Sequence, residues 1–320
     1  MSAAMKDRYG RKIDYLRISV TDRCNLRCRY CMPQEGVSAW KPGQILSFEE
    51  IEEITRAAVR LGVRKVRLTG GEPLVRRGIL ELCRRLAAVP GIQDLSMTTN
   101  GTLLSGMADQ LYQSGIRRIN ISLDTMNREK YQEMTRGGNL DDAVMGIFAA
   151  ARAGMNPVKI NTVLIRGFND DEIRTMAELT RRAPVQLRFI ELMPIGHDQE
   201  LGKRGWMPCR TVLEQLPGLT PVPSGGGVAE MYRLPGCRGL IGLIRPVSCH
   251  FCGSCSRLRL TSDGYLKPCL HGDDEISVRG FHGQELEEKI LEAAARKPAR
   301  HGDLTERAVQ LRRDMNQIGG

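Results

Sequence analysis

Residues 17–33 read RISVTDRCNLRCRYCMP. With the residues before it, this stretch forms an alternating run, IDYLRISV (13–20), that predicts a short strand. The strand delivers a loop in which Cys24, Cys28 and Cys31 stand in a C-x3-C-x2-C array. Three thiolates this close grip one metal centre from a single loop. Soft thiolate ligands favour zinc, copper(I) or iron–sulfur clusters over hard cations. Structural zinc takes a closed set of four ligands, and four cysteines are likewise usual for a cubane cluster. No fourth Cys or His lies nearby, so the simplest reading leaves one coordination position open for a substrate. The alternative is a zinc knuckle that borrows a distant fourth ligand.

Outward from this loop the pattern repeats. Ser47 is an expected N-cap for a helix over 47–61, with Glu49 and Glu50 in its first turn. Apolar runs follow at 63–69, 94–99, 116–123, 158–165 and 185–190, and helical periodicity fills 76–88, 103–114, 140–153 and 170–181. Alternating strand and helix implies parallel strands joined by right-handed crossovers. Counting the first strand gives six, two short of a closed eight-stranded barrel. The runs end in small or polar residues: Thr69-Gly70-Gly71-Glu72-Pro73, Thr98-Thr99-Asn100-Gly101, Ser122-Leu123-Asp124 and Glu191-Leu192-Met193-Pro194. Active sites of α/β barrels gather at the carboxyl ends of the strands. The composition shifts near residue 194. Beyond it, 224–227 reads as a flexible loop, 284–297 as an amphipathic helix and 304–315 as a last short helix.

The chain has 320 residues, 41% hydrophobic and 26% charged, a length that suits one large domain or two ordinary ones. No apolar run spans a bilayer, and the first residues, MSAAMKDRYGRKID, are too polar for a secretory signal. The expectation is a cytoplasmic protein whose ten cysteines serve metals rather than disulfides. The net charge of +10 asks for an anionic partner, nucleic acid or a small polyphosphate. Aromatics are 5% of residues, which weighs mildly against a base-stacking platform for single strands.

Two further motifs carry chemistry. Gly70-Gly71 allows a close backbone approach to a ligand, because no Cβ intervenes; a tight turn stopped by Pro73 is the equal alternative. Near the far end, Cys249-His250-Phe251-Cys252-Gly253-Ser254-Cys255 is followed by Cys269. Cys252, Cys255 and Cys269 form one frame, and a zinc site with Cys249 as fourth ligand is the alternative. Arg257 and Arg259 alternate around Leu258, so on a strand both point one way. Guanidinium forks suit phosphate oxygens.

C-x3-C-x2-C with Tyr30 before the last cysteine resembles the signature of the radical S-adenosylmethionine (SAM) enzymes. In that superfamily three cysteines hold a [4Fe–4S] cluster, SAM chelates the fourth iron, and one electron cleaves SAM to a hydrogen-abstracting 5′-deoxyadenosyl radical. The whole set is more specific. The cysteine array, GGEP, TTNG, SLD, ELMP, the FC-x2-C-x-RLR run and the terminal Gly319-Gly320 resemble the GTP 3′,8-cyclase family, which opens molybdenum-cofactor biosynthesis. The resemblance spans Arg17 to Gly320.

It implies an α/β fold: an incomplete (β/α)6 TIM-type barrel, residues 1–194, closed by a C-terminal region, 195–320, with a second [4Fe–4S] cluster. It implies a lyase that turns GTP into (8S)-3′,8-cyclo-7,8-dihydroguanosine 5′-triphosphate. By the same resemblance, Cys24, Cys28 and Cys31 hold the first cluster and Cys252, Cys255 and Cys269 the second. SAM contacts fall on Tyr30, Gly71, Ser122 and Met193. GTP contacts fall on Arg17, Arg67, Thr98, Lys159, Arg257, Leu258 and Arg259. Arg17, Gly319 and Gly320 are expected in catalysis, the glycine tail entering the barrel mouth. The implied partners are GTP, SAM, an external electron donor, a second copy of the chain and a downstream cyclic pyranopterin monophosphate synthase, with no nucleic acid and no membrane. A peptide-modifying maturase and a zinc-dependent nucleic-acid-binding protein are the rival readings. Arg-Leu-Arg and the Gly-Gly end speak against the first.

Overall fold

A parallel strand covered on both faces reads as a nearly unbroken apolar run. The strands here do not. In β1 (Tyr15–Ser19), Leu16 and Ile18 enter the hydrophobic core, while Tyr15, Arg17 and Ser19 occupy the other face. The same alternation marks β2 (Lys65–Thr69), with Val66 and Leu68 in the core, and β4 (Arg118–Ser122), with Ile119 and Ile121. One face of the sheet therefore packs on helices and the other lines a polar lumen.

The computed structural model describes residues 4–37, 40–195, 199–224, 227–302 and 313–319. The remaining strands are β3 (Asp94–Thr99), β5 (Val158–Leu164), β6 (Gln186–Glu191), β7 (Thr220–Val222), β8 (Glu230–Arg233), β9 (Leu240–Ile244), β10 (Arg257–Leu260), β11 (Tyr265–Lys267) and β12 (Ile276–Ser277). They form one 12-stranded sheet in the order β12-β11-β10-β1-β2-β3-β4-β5-β6-β9-β8-β7. The six expected strands, β1 to β6, run parallel side by side. Two strands from the last third extend the parallel set, β10 beside β1 and β9 beside β6. Antiparallel β7–β8 and β11–β12 finish the two edges. The curved sheet stays open, as an incomplete barrel.

The crossover helices are α1 (Phe48–Arg60), α2 (Ile79–Ala87), α3 (Ala108–Gln113), α4 (Arg128–Thr135), α5 (Leu140–Arg152) and α6 (Ile173–Arg182). Short α7 (Gln199–Arg204) and α8 (Thr211–Gln215) precede β7; α9 (Gly283–Ala295) and α10 (Met315–Ile318) come last. Ser47 caps α1 as expected: its Oγ accepts from the Glu50 N–H at 3.1 Å, and the Glu50 carboxylate accepts from the Ser47 N–H at 2.6 Å. Most of the 304–315 segment, and Gly225 and Gly226 of the 224–227 loop, lie outside the described residues. No helix of the described residues is long and apolar enough to cross a membrane.

Candidate active site

The loop after β1 holds Cys24, Cys28 and Cys31, all half-buried and free. It is moored on three sides. The N–H groups of Gly71 and Glu72 donate to the carbonyls of Thr21 (2.7 Å) and Arg23 (2.8 Å). Arg27 and Arg29 N–H groups donate to Thr135 and Met134 at the end of α4. The Tyr30 hydroxyl donates to Asp124 Oδ2 at 2.7 Å. The glycines have a definite structural cause. A Cβ on Gly70 would lie 2.5 Å from the Thr21 carbonyl oxygen, and one on Gly71 would lie 2.4 Å from that of Arg23. One close approach they permit is that of the cysteine loop's own backbone.

The other motif residues brace the same loop. Glu72, 1% exposed, accepts from Leu74 N–H, Asn100 N–H and Thr99 Oγ1. Burial pushes its pKa up to about 7 against the pull of those hydrogen bonds. Burial likewise raises Asp124 to about 6, the Tyr30 and Val163 hydrogen bonds opposing it. Ser122, at the end of β4, lines a small pocket with Cys28, Tyr30 and Asn100. Glu191 accepts from the backbone of Cys209, Val247 and Ser248, steering the chain toward the second cysteine group. Met193 Sδ lies 3.3 Å from His271 Nε2, so the end of β6 touches the segment after Cys269.

Burial first, then Cys24 and carboxylates, push Cys31 up to about 12; burial, then Cys31, Asp124 and Cys24, raise Cys28. Three thiols that discourage one another's ionisation gain most from a cationic centre, which deprotonates its ligands outright. Among the described residues no three Cys, His, Asp or Glu side chains are drawn together as one bound ion requires. The fit to an iron–sulfur cluster rests on the donor chemistry of the triad.

Beyond the loop, the lumen is lined with cations. Register places Arg259 of β10, Arg17 of β1 and Arg67 of β2 side by side. Asn120 of β4 and Lys159 of β5 form a second row, with Asn161 and Arg188 of β6 above it. Arg67 Nη1 reaches Thr98 Oγ1 at 3.4 Å, and both Arg67 and Arg257 lie over the Tyr15 ring. Burial and neighbouring cations depress them: Lys159 falls to about 7, Arg188 and Arg259 to about 10, and Arg17 falls well below its usual value. Among the described residues, Arg67, Lys159, Arg188, Arg257 and Arg259 have no carboxylate partner. The Nε atoms of Arg67 and Arg188, with Asn120 Oδ1 and Asn161 Oδ1, are buried without hydrogen bonds. Arg188 was not singled out in the sequence. Its signal was the alternation Gln186, Arg188, Ile190, which becomes informative once the register of β6 is known. Leu258 enters the core between its arginines; any ligand contact it makes is through its backbone.

Cys252 opens a short turn, Cys252–Ser254, before β10, and Cys269 follows β11. Burial raises the Cys252 thiol, and Cys269 and Cys255 add to it. Burial also raises Cys255, but Lys297 and Arg257 outweigh it and the thiol ends below its usual value. Cys249 is exposed, its N–H bonded to the Arg245 carbonyl.

The C-terminal segment closes over the carboxyl ends of β1 and β2. Arg313 forks onto Asp263 and Glu275, and Asn316 Nδ2 donates to the Asp22 carbonyl at 2.8 Å. Gly319 sits at φ 67°, where a Cβ would lie 2.5 Å from Thr69 Cγ2. Its carbonyl accepts from Arg259 Nη1 at 2.6 Å. Gly320 lies outside the described residues.

Residues 18–180 match the Radical SAM superfamily and residues 185–303 match Molybdenum Cofactor Synthesis C. The chain is 50% identical to a GTP 3′,8-cyclase of Pelotomaculum thermopropionicum, over 99% of this chain and 100% of the relative. It is 47% identical to that of Alkaliphilus oremlandii, again over 99% and 100%. In fold it is similar to Streptococcus suis SuiB bound to S-adenosylmethionine, with a TM-score of 0.64 at 17% identity, covering 93% of this chain and 69% of that one. With cysteine loop, cationic lumen and full-length relatives in agreement, the chain belongs to the GTP 3′,8-cyclase family of radical SAM enzymes of molybdenum cofactor synthesis.

Proposed function

We propose that the chain cyclises GTP to (8S)-3′,8-cyclo-7,8-dihydroguanosine 5′-triphosphate in a lumen between two cysteine triads. The observation that carries this reading is the set of cations without carboxylate partners among the described residues. Buried guanidinium and ammonium groups are costly unless an anion meets them, and a triphosphate of roughly four negative charges suits the set. Cys24, Cys28 and Cys31 would hold one [4Fe–4S] cluster, and Cys252, Cys255 and Cys269 the other, with Cys249 a bystander. Bound there, the first cluster and SAM would supply one electron and the adenosyl radical that takes the ribose 3′ hydrogen, and the second cluster a further electron that, with a proton, quenches the cyclised radical.

The chain's own residues bind and orient. Tyr30, Gly71, Ser122 and Met193 frame SAM. Arg17, Arg67, Thr98, Lys159, Arg257 and Arg259 hold the triphosphate, joined by Arg188. Their contribution is positioning, which converts an encounter into a near-attack arrangement. Gly319 closes the mouth, and Gly320 joins it in catalysis. Residues 1–194 form the barrel unit and 195–320 the closing unit. The protein works in the cytoplasm as a homodimer, takes electrons from an external donor and passes product to a cyclic pyranopterin monophosphate synthase.

Anaerobic incubation with GTP, SAM and a reductant tests this. The expected products are 5′-deoxyadenosine and the cyclised triphosphate in step. Deoxyadenosine formation indifferent to GTP, with GTP recovered unchanged, would overturn it.

A further inference from the structure

Lys297 is a buried charge that the reaction so far leaves without a task. It is 3% exposed, in the turn that leaves α9. Its Nζ donates to the Arg257 carbonyl at 2.8 Å and to the Pro268 carbonyl at 2.8 Å. The Cys255 thiol lies in its field. Arg257 lies two residues after Cys255, and Pro268 is next to Cys269. One ammonium thus ties together the two limbs that carry these cysteines. The adjoining residues hold the third limb. Arg11 Nη2 donates to the Pro298 carbonyl at 2.6 Å, while its Nη1 donates to Ala299 (3.0 Å) and to the Cys252 carbonyl (2.7 Å).

The two cations differ in one respect. Arg11 is neutralised by Asp7. Lys297 has no carboxylate partner among the described residues, and the acidic groups in its field are the thiols of Cys255 and Cys269. Removing an ammonium from water costs several kcal/mol unless negative charge and hydrogen bonds repay it. Two carbonyl dipoles repay part. The remainder points to an anionic group at the cysteines, as a thiolate-ligated cluster is.

We infer that Lys297 is a positioning residue of the second cluster, fixing the Cys255 and Cys269 limbs and favouring the cluster's reduced state. This rests on the reading of Cys252, Cys255 and Cys269 as ligands. Hydrogen bonds to ligand sulfurs and nearby charge are principal levers on cluster potential. A cation beside the sulfur stabilises the more negative, reduced form, so the potential lies higher with Lys297 than without it.

The test uses full-length protein with Cys24, Cys28 and Cys31 replaced by Ala, so that a single cluster remains. Iron and sulfide content, chelator resistance and the midpoint potential from an EPR-monitored titration are measured anaerobically. Lys297→Gln, which keeps a donor but no charge, should retain iron and shift the midpoint to a more negative value. Lys297→Met should shift it likewise and lose iron faster to chelator. Lys297→Arg should stay near the parent. If the Met protein does not fold, the Gln protein decides. A Gln midpoint equal to the parent's, or an Arg midpoint displaced as far as that of Gln, would overturn the inference. A parent without iron, or one keeping its iron after Cys269→Ala, would instead overturn the ligand reading.

Discussion

Gly71 lies where two backbones cross. Because a Cβ there meets the carbonyls of Arg23 and Asp22 rather than a flexible side chain, Gly71→Ala is relieved only by moving the cysteine loop. Overpacking of this kind costs about 1–3 kcal/mol. The variant should show that loss in chemical denaturation and should also lose first-site iron, with second-site iron retained; full iron at unchanged stability would refute the mooring. Lys159 makes a different prediction. Burial, then Arg188, Arg118 and Arg67, lower it to about 7, with Asp94 pulling the other way. At pH 8 the empty site therefore holds Lys159 mostly neutral. A bound triphosphate favours the cation and raises its pKa, so binding should take up protons near pH 8. Calorimetry of GTP binding in two buffers of different ionisation enthalpy reads this directly. Lys159→Met should abolish the uptake and weaken binding by about 1.5–3 kcal/mol; net proton release by the parent would contradict the argument. Such residues differ in legibility. Cys24, Cys28 and Cys31 declare themselves by spacing within one loop. Arg188 does not, because a cation on a strand means solvent or substrate according to a register that no local pattern carries.

Elements follow the same rule. The six barrel strands and their main helices were legible because each obeys its own period. The segment 103–114 divides into a tight turn, Leu104–Gly106, and α3, since Gly106 interrupts it. Helix α4 escaped notice because only Tyr131, Met134 and Thr135 of its eight residues are buried, too few for a stripe. Strand β9, at Leu240–Ile244, is as long as β1, but Gly239 precedes it and Gly242 breaks its centre, so its pattern does not separate it from a turn. The C-terminal element follows no local period: two terminal glycines by themselves read as a frayed end, and only the family resemblance suggested a place for them. Gly319 adopts a left-handed conformation against Thr69, anchored by Arg259 and, upstream, by Arg313. Gly319→Val places a branched side chain in both a strained φ and an occupied space. The variant should keep iron, folding and GTP affinity while yielding little cyclised product. A full rate from it would reduce the tail to packing.

At the scale of the molecule, the lumen concentrates positive charge inside a protein already at +10. Affinity should therefore rank GTP over GDP over GMP, and the intervals should narrow as ionic strength rises and screening shortens the reach of the field. Equilibrium dialysis at low and high salt measures both; equal affinities for the three nucleotides would move the phosphates out of the lumen. The sheet order has another consequence, one of timing. Strand β1 is made early, yet its outer neighbour β10 begins only at Arg257. At a synthesis rate of about 5–20 residues per second, the growing chain carries an open strand edge for roughly 10–50 seconds. Such an edge is a template for pairing with another chain. The nascent chain thus stays open to pairing at this edge until β10 emerges, and the strand that brings Arg257 and Arg259 to the lumen is also the one that ends the exposure.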